Sequence, residues 1–185
     1  VNTNIAVFLD RDGTIIEERH FISTPEEVIL IPNSADAIRE LNQLGIKIFV
    51  ISNQSGIAHG YFTETDLLQM NERLLQLLKN ENAFIDKIYY CPHKDENNCE
   101  CRKPKPGMLK QAEKEFGIDL KKSFVIGDRF VDVDAGKNVG AKTILVETGY
   151  GEQSVKWGNE NEQHADFTAQ NLYEGIQYIK RLLDE

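Results

Sequence analysis

Asp10-Arg11-Asp12-Gly13-Thr14 follows directly on the apolar run Ile5-Ala6-Val7-Phe8-Leu9. Such a run is a candidate buried strand, and open α/β sheets carry their ligand sites beyond the carboxyl ends of their strands. Alone, an aspartate can cap a helix and Asp-Gly can be a turn. Residues i and i+2 of an extended segment share a face, however, so the two carboxylates must repel, share a proton or hold a cation between them. The last arrangement suits phosphoryl chemistry.

Three further segments can serve that chemistry. Ser52-Asn53-Gln54-Ser55-Gly56 follows a second apolar run and offers hydroxyl, amide and backbone donors that meet phosphate oxygens without adding charge; an ordinary polar turn is the plain alternative. Gly127-Asp128-Arg129-Phe130-Val131-Asp132, with Asp134 close behind, ends another run. A carboxylate here, on a strand expected to neighbour the first in a parallel sheet, can complete an oxygen-rich site with Asp10 and Asp12, of the hard, sparsely liganded kind that suits Mg²⁺. Taken singly, Asp128 can be a loop residue and Asp132 a helix cap. Arg102-Lys103-Pro104-Lys105-Pro106-Gly107 is a local basic cluster whose prolines are expected to hold the cations outward rather than on a helix face. A charge run is usually solvated surface, but beside a carboxylate and metal site one lysine can balance an incoming phosphate.

All three cysteines lie within residues 91–101, as Cys91-Pro92-His93 and Cys99-Glu100-Cys101. An odd number cannot all pair internally, whereas three thiolates and one imidazole make a closed tetrahedral Zn²⁺ set, structural rather than catalytic. Its expected work is to staple the 91–101 loop and thereby fix Arg102 and Lys103. His20, His59 and His164 show no such clustering and read as loop or surface histidines.

These segments need a frame. Candidate strands at 5–9, 47–52, 87–90, 124–126 and 143–146, with a short one near Phe167, alternate with helical patterns, which predicts βα units around a mainly parallel sheet. The expected fold is a Rossmann-like three-layer α/β sandwich. Ser34 is the expected cap of a helix carrying Ala35, Ile38, Leu41 and Leu44, with Gly45 as its stop. Thr63 and Asp66 open a helix with Leu67, Met70, Leu74, Leu77 and Leu78 as core. Pro106 suits the first turn of a helix to about Phe116, closed by Gly117, and Leu172, Ile176, Ile179 and Leu183 mark a terminal helix. The polar stretch 152–164 reads as a solvated loop.

With 185 residues, one domain over 1–185 is expected. A net charge of −9 argues against a broad nucleic-acid surface, so an anionic ligand must meet local cations. No apolar run approaches the roughly 20 residues of a bilayer span, and Val1-Asn2-Thr3-Asn4 shows no leader pattern. A soluble, cytoplasmic protein without membrane or nucleic-acid partners is the expectation, and a monomer, because no long apolar stripe is left over.

The four segments in this order, Asp10-x-Asp12-Gly13-Thr14, Ser52, Lys103 and Gly127-Asp128 with Asp132, resemble the motifs of the haloacid dehalogenase superfamily of phosphatases. The resemblance implies Asp10 as nucleophile forming an aspartyl-phosphate, Asp12 as general acid and then base, and Mg²⁺ held by Asp10, the backbone carbonyl of Asp12, and Asp128. Within the superfamily, Asn53-Gln54-Ser55-Gly56-Ile57-Ala58, the four zinc ligands and Cys101-Arg102-Lys103-Pro104-x-Pro106-Gly107-Met108 are similar to the heptose 1,7-bisphosphate 7-phosphatase family. That likeness implies a sugar bisphosphate substrate on the way to nucleotide-activated heptose and surface polysaccharide. It implies substrate contacts from Glu18, Arg19, His20, Phe21, Ser52, Asn53, Gln54 and Ser55, recognition by Arg102, phosphoryl stabilisation by Lys103, and Arg129 beside the metal-site aspartate. His59 stands where the family's Gly-Ile-Ala-Arg-Gly run has arginine, and the loop between the zinc ligand pairs is short. No long insertion separates Thr14 from Ser52, so a large cap domain is not expected. Histidinol-phosphate phosphatases share the motifs and are the nearest rival; polynucleotide 3′-phosphatases would need a basic groove, and a zinc-stapled binding module without catalysis is the alternative of another class.

Overall fold

The computed structural model describes residues 4–184; the expectation resting on Val1 to Thr3 lies outside the described residues. Six strands form one parallel sheet: β1 (Ala6–Leu9), β2 (Lys47–Asn53), β3 (Lys87–Cys91), β4 (Phe124–Gly127), β5 (Lys142–Val146) and β6 (Phe167–Ala169), in the order β3-β2-β1-β4-β5-β6. β1 is central and buried along its whole length, pairing with β2 in the register Phe8↔Phe49 and with β4 in the register Phe8↔Val125. A strand covered on both faces reads as unbroken apolar sequence, which is why 5–9 shows no alternation. Its side chains nevertheless part with period two. Val7 and Leu9 join Ile48, Val50, Ile126 and Ile144 in one core, while Ala6 and Phe8 join Phe49, Ile51 and Val125 in the other.

Helices cover both faces. α1 (Ser34–Gln43), α2 (Glu64–Asn80) and α6 (Leu172–Asp184) supply the first core through Ile38, Leu41, Leu67, Met70, Leu74, Ile176 and Ile179. α3 (Gly107–Phe116) and α4 (Phe130–Asn138) supply the second through Met108, Leu109, Ala112 and Ala135. The Thr63 cap of α2 is as expected, with Asp66 N–H donating to Thr63 Oγ1 at 3.1 Å and Asp66 Oδ2 accepting from Thr63 N–H at 2.8 Å. Gly45 and Gly117 take the left-handed conformation after α1 and α3.

The structure corrects three expectations and bears out a fourth. Ser34 is the first residue of α1 rather than its cap; Asn33 holds the cap position at φ 67°, and the Ser34 hydroxyl is buried without a partner. Leu183 is 39% exposed and lies off the core face of α6. The stretch read as a solvated loop holds most of α5 (Gly151–Glu160), a helix with two glycines and almost no apolar stripe, which neither propensity nor periodicity announces. It is held instead by Trp157 against Phe130, ring centroids 5.1 Å apart, and by Ser154 Oγ donating to the Asp128 carbonyl at 2.8 Å. α4 begins where the sequence offered only a candidate cap, and its Asp132 does accept from the Arg129 backbone N–H at 3.2 Å.

Between β1 and α1 runs only a short segment, tied down by isolated bridges from Ile16 to Asp12 and Leu30 and by one 3₁₀ turn at Pro25–Glu27, so no large cap domain covers the sheet. No helix among the described residues is long and apolar enough to cross a membrane.

Candidate active site

β1 and β4 are neighbours in the sheet, although most of the chain between β1 and β4 passes through β2 and β3, and the strand order reverses between them. Their carboxyl ends deliver Asp10 and Asp128 to one crevice, the place where open α/β sheets bind ligands. Asp10 N–H donates to the Ile126 carbonyl at 2.9 Å, fixing the first carboxylate to the neighbouring strand. Gly13 makes room for the second. It adopts φ 86°, and a Cβ there would lie 2.2 Å from Asp128 Oδ2; one at Gly149 would lie 2.4 Å from the same oxygen.

Asp10, Asp128 and Asp132 bring carboxylate oxygens within 4.8 Å of one another on the floor of this crevice. Lys103 joins them from the loop after β3. Its Nζ donates to Asp10 Oδ1 at 2.9 Å, Asp132 Oδ1 at 2.6 Å and the Ile51 carbonyl at 2.7 Å. The expectation that this basic run points outward therefore fails for Lys103, which is 3% exposed, because two carboxylates and a carbonyl replace its hydration. Burial alone would lower its pKa, but Asp10 and Asp132 outweigh it and hold the ammonium above the usual lysine range. Burial, then the Asp10 and Asp132 charges, pushes Asp128 up to about 9. Burial likewise pushes Asp132 up to about 6, even with Lys103 opposing it. Three carboxylates facing one ammonium leave an excess of negative charge that a divalent cation would neutralise. Asp128 Oδ1 is the open ligand, buried with no hydrogen-bond partner, while Oδ2 accepts from the Tyr150 N–H at 2.8 Å.

Asp12 sits apart from this trio. Its carboxylate accepts from Arg11 Nε at 2.9 Å and Nη2 at 3.2 Å and from Gln54 Nε2 at 3.1 Å, and Arg11 Nη1 donates to Asn71 of α2 at 2.9 Å. The buried Arg11 thus locks Asp12 on the crevice wall. Ser52 is buried behind Gln54, its Oγ accepting from Gln54 Nε2 at 2.5 Å, and does not line the crevice. Asn53 lines it, yet both ends of its amide pin the Lys103 backbone, Oδ1 accepting from Lys103 N–H at 3.0 Å and Nδ2 donating to Lys103 O at 3.1 Å.

The cleft above the floor has a volume of about 280 Å³. Glu18, His20, Phe21, Ser55, Arg102 and Arg129 line it as the sequence reading expects, whereas Arg19 turns to Glu17 at 3.2 Å and lies outside. His20 and Phe21 take φ of 55° and 59°, and Glu18 Oε1 accepts from the His20 N–H at 2.7 Å. Consecutive bulky residues in the left-handed region are strained and fix an unusual corner at the cleft rim. Partial burial, more than its neighbours, raises the Glu18 pKa. Five lining residues escaped sequence reasoning as site members or in their roles: Arg11, Asp132 as a partner of Lys103, Tyr150, and the apolar Ile22 and Val131. Asp132 carried a signal in its spacing from Asp128, whereas Tyr150 carried none and is brought in by the turn after β5.

Beside the cleft, Cys91, His93, Cys99 and Cys101 place their ligand atoms within 4.8 Å of one another. Sulfur pairs lie 3.5 Å (Cys91 and Cys99), 3.6 Å (Cys99 and Cys101) and 2.8 Å (Cys91 and Cys101) apart, and His93 Nδ1 lies 3.5 Å and 3.4 Å from Cys91 and Cys101. A zinc tetrahedron with Zn–S near 2.3 Å has sulfurs roughly 3.8 Å apart; the two Cys99 pairs come close to that spacing, the Cys91 and Cys101 sulfurs would part to reach it, and the donor set of three thiols and one imidazole suits a thiophilic ion. The thiols are free. Burial pushes the Cys91 thiol up, whereas at Cys99 burial is outweighed first by the Arg102 backbone N–H and then by the Cys91 and Cys101 thiols, which hold it down to about 6. The loop reaches the cleft twice, through Gln54 N–H donating to Cys91 O at 2.7 Å and through Arg102, which donates to Asp95 Oδ1 at 2.6 Å and to the His93 carbonyl at 3.3 Å.

Comparison with known proteins matches residues 100–175 to the HAD-hydrolase-like family model. The chain is 39% identical to the D-glycero-beta-D-manno-heptose-1,7-bisphosphate 7-phosphatase of Haemophilus influenzae, over 97% of this chain and 98% of that one. It is 40% identical to the enzyme of the same name from Helicobacter pylori, over 97% and 99%. A crystal structure of D,D-heptose 1,7-bisphosphate phosphatase from B. bronchiseptica, complexed with magnesium and phosphate, superposes with a TM-score of 0.90 at 28% identity, covering 96% of this chain and 99% of that one.

Proposed function

The chain belongs to the family of D-glycero-beta-D-manno-heptose-1,7-bisphosphate 7-phosphatases, and on that premise we propose that it hydrolyses the 7-phosphate of this sugar bisphosphate, leaving heptose 1-phosphate. The observation that carries the reading is the Asp10, Asp128 and Asp132 cluster with Lys103 among its oxygens, at the switch point of the sheet. The likeness to enzymes named for the β anomer favours that anomer here, and none of the site's features favours histidinol phosphate or a merely binding role.

Asp10 and Asp128 would hold Mg²⁺ with the Asp12 backbone carbonyl, and the unpartnered Asp128 Oδ1 suits that role. Bound there, the ion screens the charge of carboxylate and phosphate from one another as they approach. Asp10 attacks phosphorus, the bond from phosphorus to the C7 oxygen breaks, and Asp12 gives its proton to the departing alkoxide. A water then loses a proton to Asp12 and attacks phosphorus, breaking the acyl phosphate and freeing Asp10. Acid and base assistance of this kind is worth about 10²- to 10⁴-fold in rate. Lys103 keeps Asp10 oriented and spreads positive charge over the equatorial phosphate oxygens. Ser52 acts through Gln54, which it positions against Asp12. Glu18, His20, Phe21, Asn53, Gln54, Ser55, Arg102 and Arg129 surround the sugar and its second phosphate, and Arg19 contributes at the rim of the loop.

Cys91, His93, Cys99 and Cys101 would hold Zn²⁺, which staples the 91–101 loop so that Arg102 and Lys103 keep their places. Free thiols at this density suit a reducing compartment, and the reading includes a cytoplasmic monomer of one domain over 1–185.

Phosphate release from both heptose bisphosphate anomers and from histidinol phosphate, with and without Mg²⁺, tests the assignment. Turnover of the β anomer is expected to dominate and to require Mg²⁺, and Asp10→Asn is expected to abolish it with the fold intact. Full activity in that variant, or preference for histidinol phosphate, would overturn the reading.

A further inference from the structure

Four cationic side chains line the cleft, and three are committed. Arg11 is paired with Asp12, Arg102 with Asp95, and Lys103 with Asp10 and Asp132. Arg129 has no carboxylate at salt-bridge distance among the described residues, so its guanidinium keeps its donors for an anion that enters from solution. What directs it is a ring. The guanidinium carbon lies 4.0 Å from the centroid of Tyr150, and Tyr150 is itself held from two sides. Its backbone N–H donates to Asp128 Oδ2 at 2.8 Å, and its hydroxyl lies 3.3 Å from His20 Nδ1 on the strained corner of the rim.

We propose that Tyr150 is a positioning residue whose ring holds the Arg129 guanidinium across the cleft mouth to receive the non-reacting phosphate of the sugar bisphosphate. The inference rests on the reading of the chain as a bisphosphate phosphatase. A long, exposed arginine loses much rotamer freedom when it meets an anion, and stacking it beforehand removes part of that cost. An aromatic face suits the task because it attracts the guanidinium without using any of its N–H groups. The reacting phosphate has its own cation in Lys103 on the floor, which leaves the second phosphate as the anion at the mouth.

The test is steady-state kinetics on heptose 1,7-bisphosphate and on heptose 7-phosphate, which lacks the second phosphate. Tyr150→Leu removes the ring and keeps the backbone donor; it is expected to raise KM for the bisphosphate about two- to fivefold, the scale of an exposed cation–π contact, with kcat within twofold and no change for the monophosphate. Tyr150→Phe, which keeps the ring and its backbone anchor and loses only the hydroxyl contact with His20, is expected to bring KM most of the way back. Arg129→Gln, at an exposed position, is expected to raise the bisphosphate KM at least as much and to make Tyr150→Leu silent when the two are combined. An unchanged KM in Tyr150→Leu, equal losses on both substrates, or a further loss in the Arg129→Gln background would overturn the proposal. Should the wild-type protein release no phosphate from the bisphosphate at all, the functional reading fails instead, and the two failures are told apart.

Discussion

At the scale of single residues, the site depends on a few side chains that cannot be exchanged for near neighbours. Lys103 is a buried cation among two carboxylates and a carbonyl, so Lys103→Met removes the countercharge of Asp10 and Asp132 together. It is expected to lower kcat about 10²-fold or more and to lower the melting temperature, measured by phosphate release and thermal unfolding. Gly13→Ala places a methyl 2.2 Å from Asp128 Oδ2 at a backbone angle that alanine resists. The expected outcome is weakened Mg²⁺ activation, seen as a higher Mg²⁺ concentration at half-maximal rate. The identities of Asp10, Asp12, Asp128 and Lys103 were legible because each stands at the end of an apolar run or inside a spaced motif. The inward turn of Lys103 was not, since it depends on carboxylates from β1 and α4 that are remote in the chain. Tyr150 was invisible for the same reason.

At the scale of elements, two devices hold the frame around these residues. Glu40 of α1 accepts from Tyr173 Oη at 3.1 Å, Gln177 Nε2 at 2.8 Å and Lys180 Nζ at 2.7 Å, tying α1 to α6. The Lys180 contact first, then Gln177, holds the Glu40 carboxyl below its usual range. A depressed folded-state pKa contributes stability above the unfolded value, and that contribution is lost as pH falls through the depressed one. Glu40→Gln is therefore expected to be less stable at neutral pH, by about 1 kcal/mol or less, with the difference closing below about pH 4 in denaturant titrations. The loop carrying Cys91, His93, Cys99 and Cys101, proposed above to hold Zn²⁺, is the second device. Stripping the metal with a chelator, or Cys99→Ser, is expected to raise KM more than it lowers kcat, because Arg102 is anchored to Asp95 and His93 of that loop; one equivalent of released zinc is the accompanying readout. Most elements were legible from periodicity and caps. α5 was not, because a helix without an apolar stripe looks like solvated sequence, and what seats it, the Phe130 and Trp157 contact and Ser154 on the Asp128 carbonyl, joins segments distant in sequence.

At the scale of the molecule, the strand order β3-β2-β1-β4-β5-β6 puts the reversal of winding where the two leading carboxylates emerge, so topology and chemistry coincide. On a chain of net charge −9, Arg11, Arg102, Lys103 and Arg129 are gathered on one cleft, a local concentration of cations that suits an anionic sugar bisphosphate. Parallel alternation and the site's location were legible from the βα pattern, and so was the pairing of β1 with β4, because the Gly127-Asp128 segment can join Asp10 and Asp12 only from a neighbouring strand. The claim that joins the scales is that Asp10 at this switch point removes the phosphate at C7. Phosphorus-31 NMR of heptose 1,7-bisphosphate with the enzyme and Mg²⁺ reads it directly. The C7 phosphomonoester resonance is expected to give way to inorganic phosphate while the C1 resonance persists, and neither is expected to change with Asp10→Asn; loss of the C1 phosphate, or release by Asp10→Asn at the wild-type rate, would contradict the account.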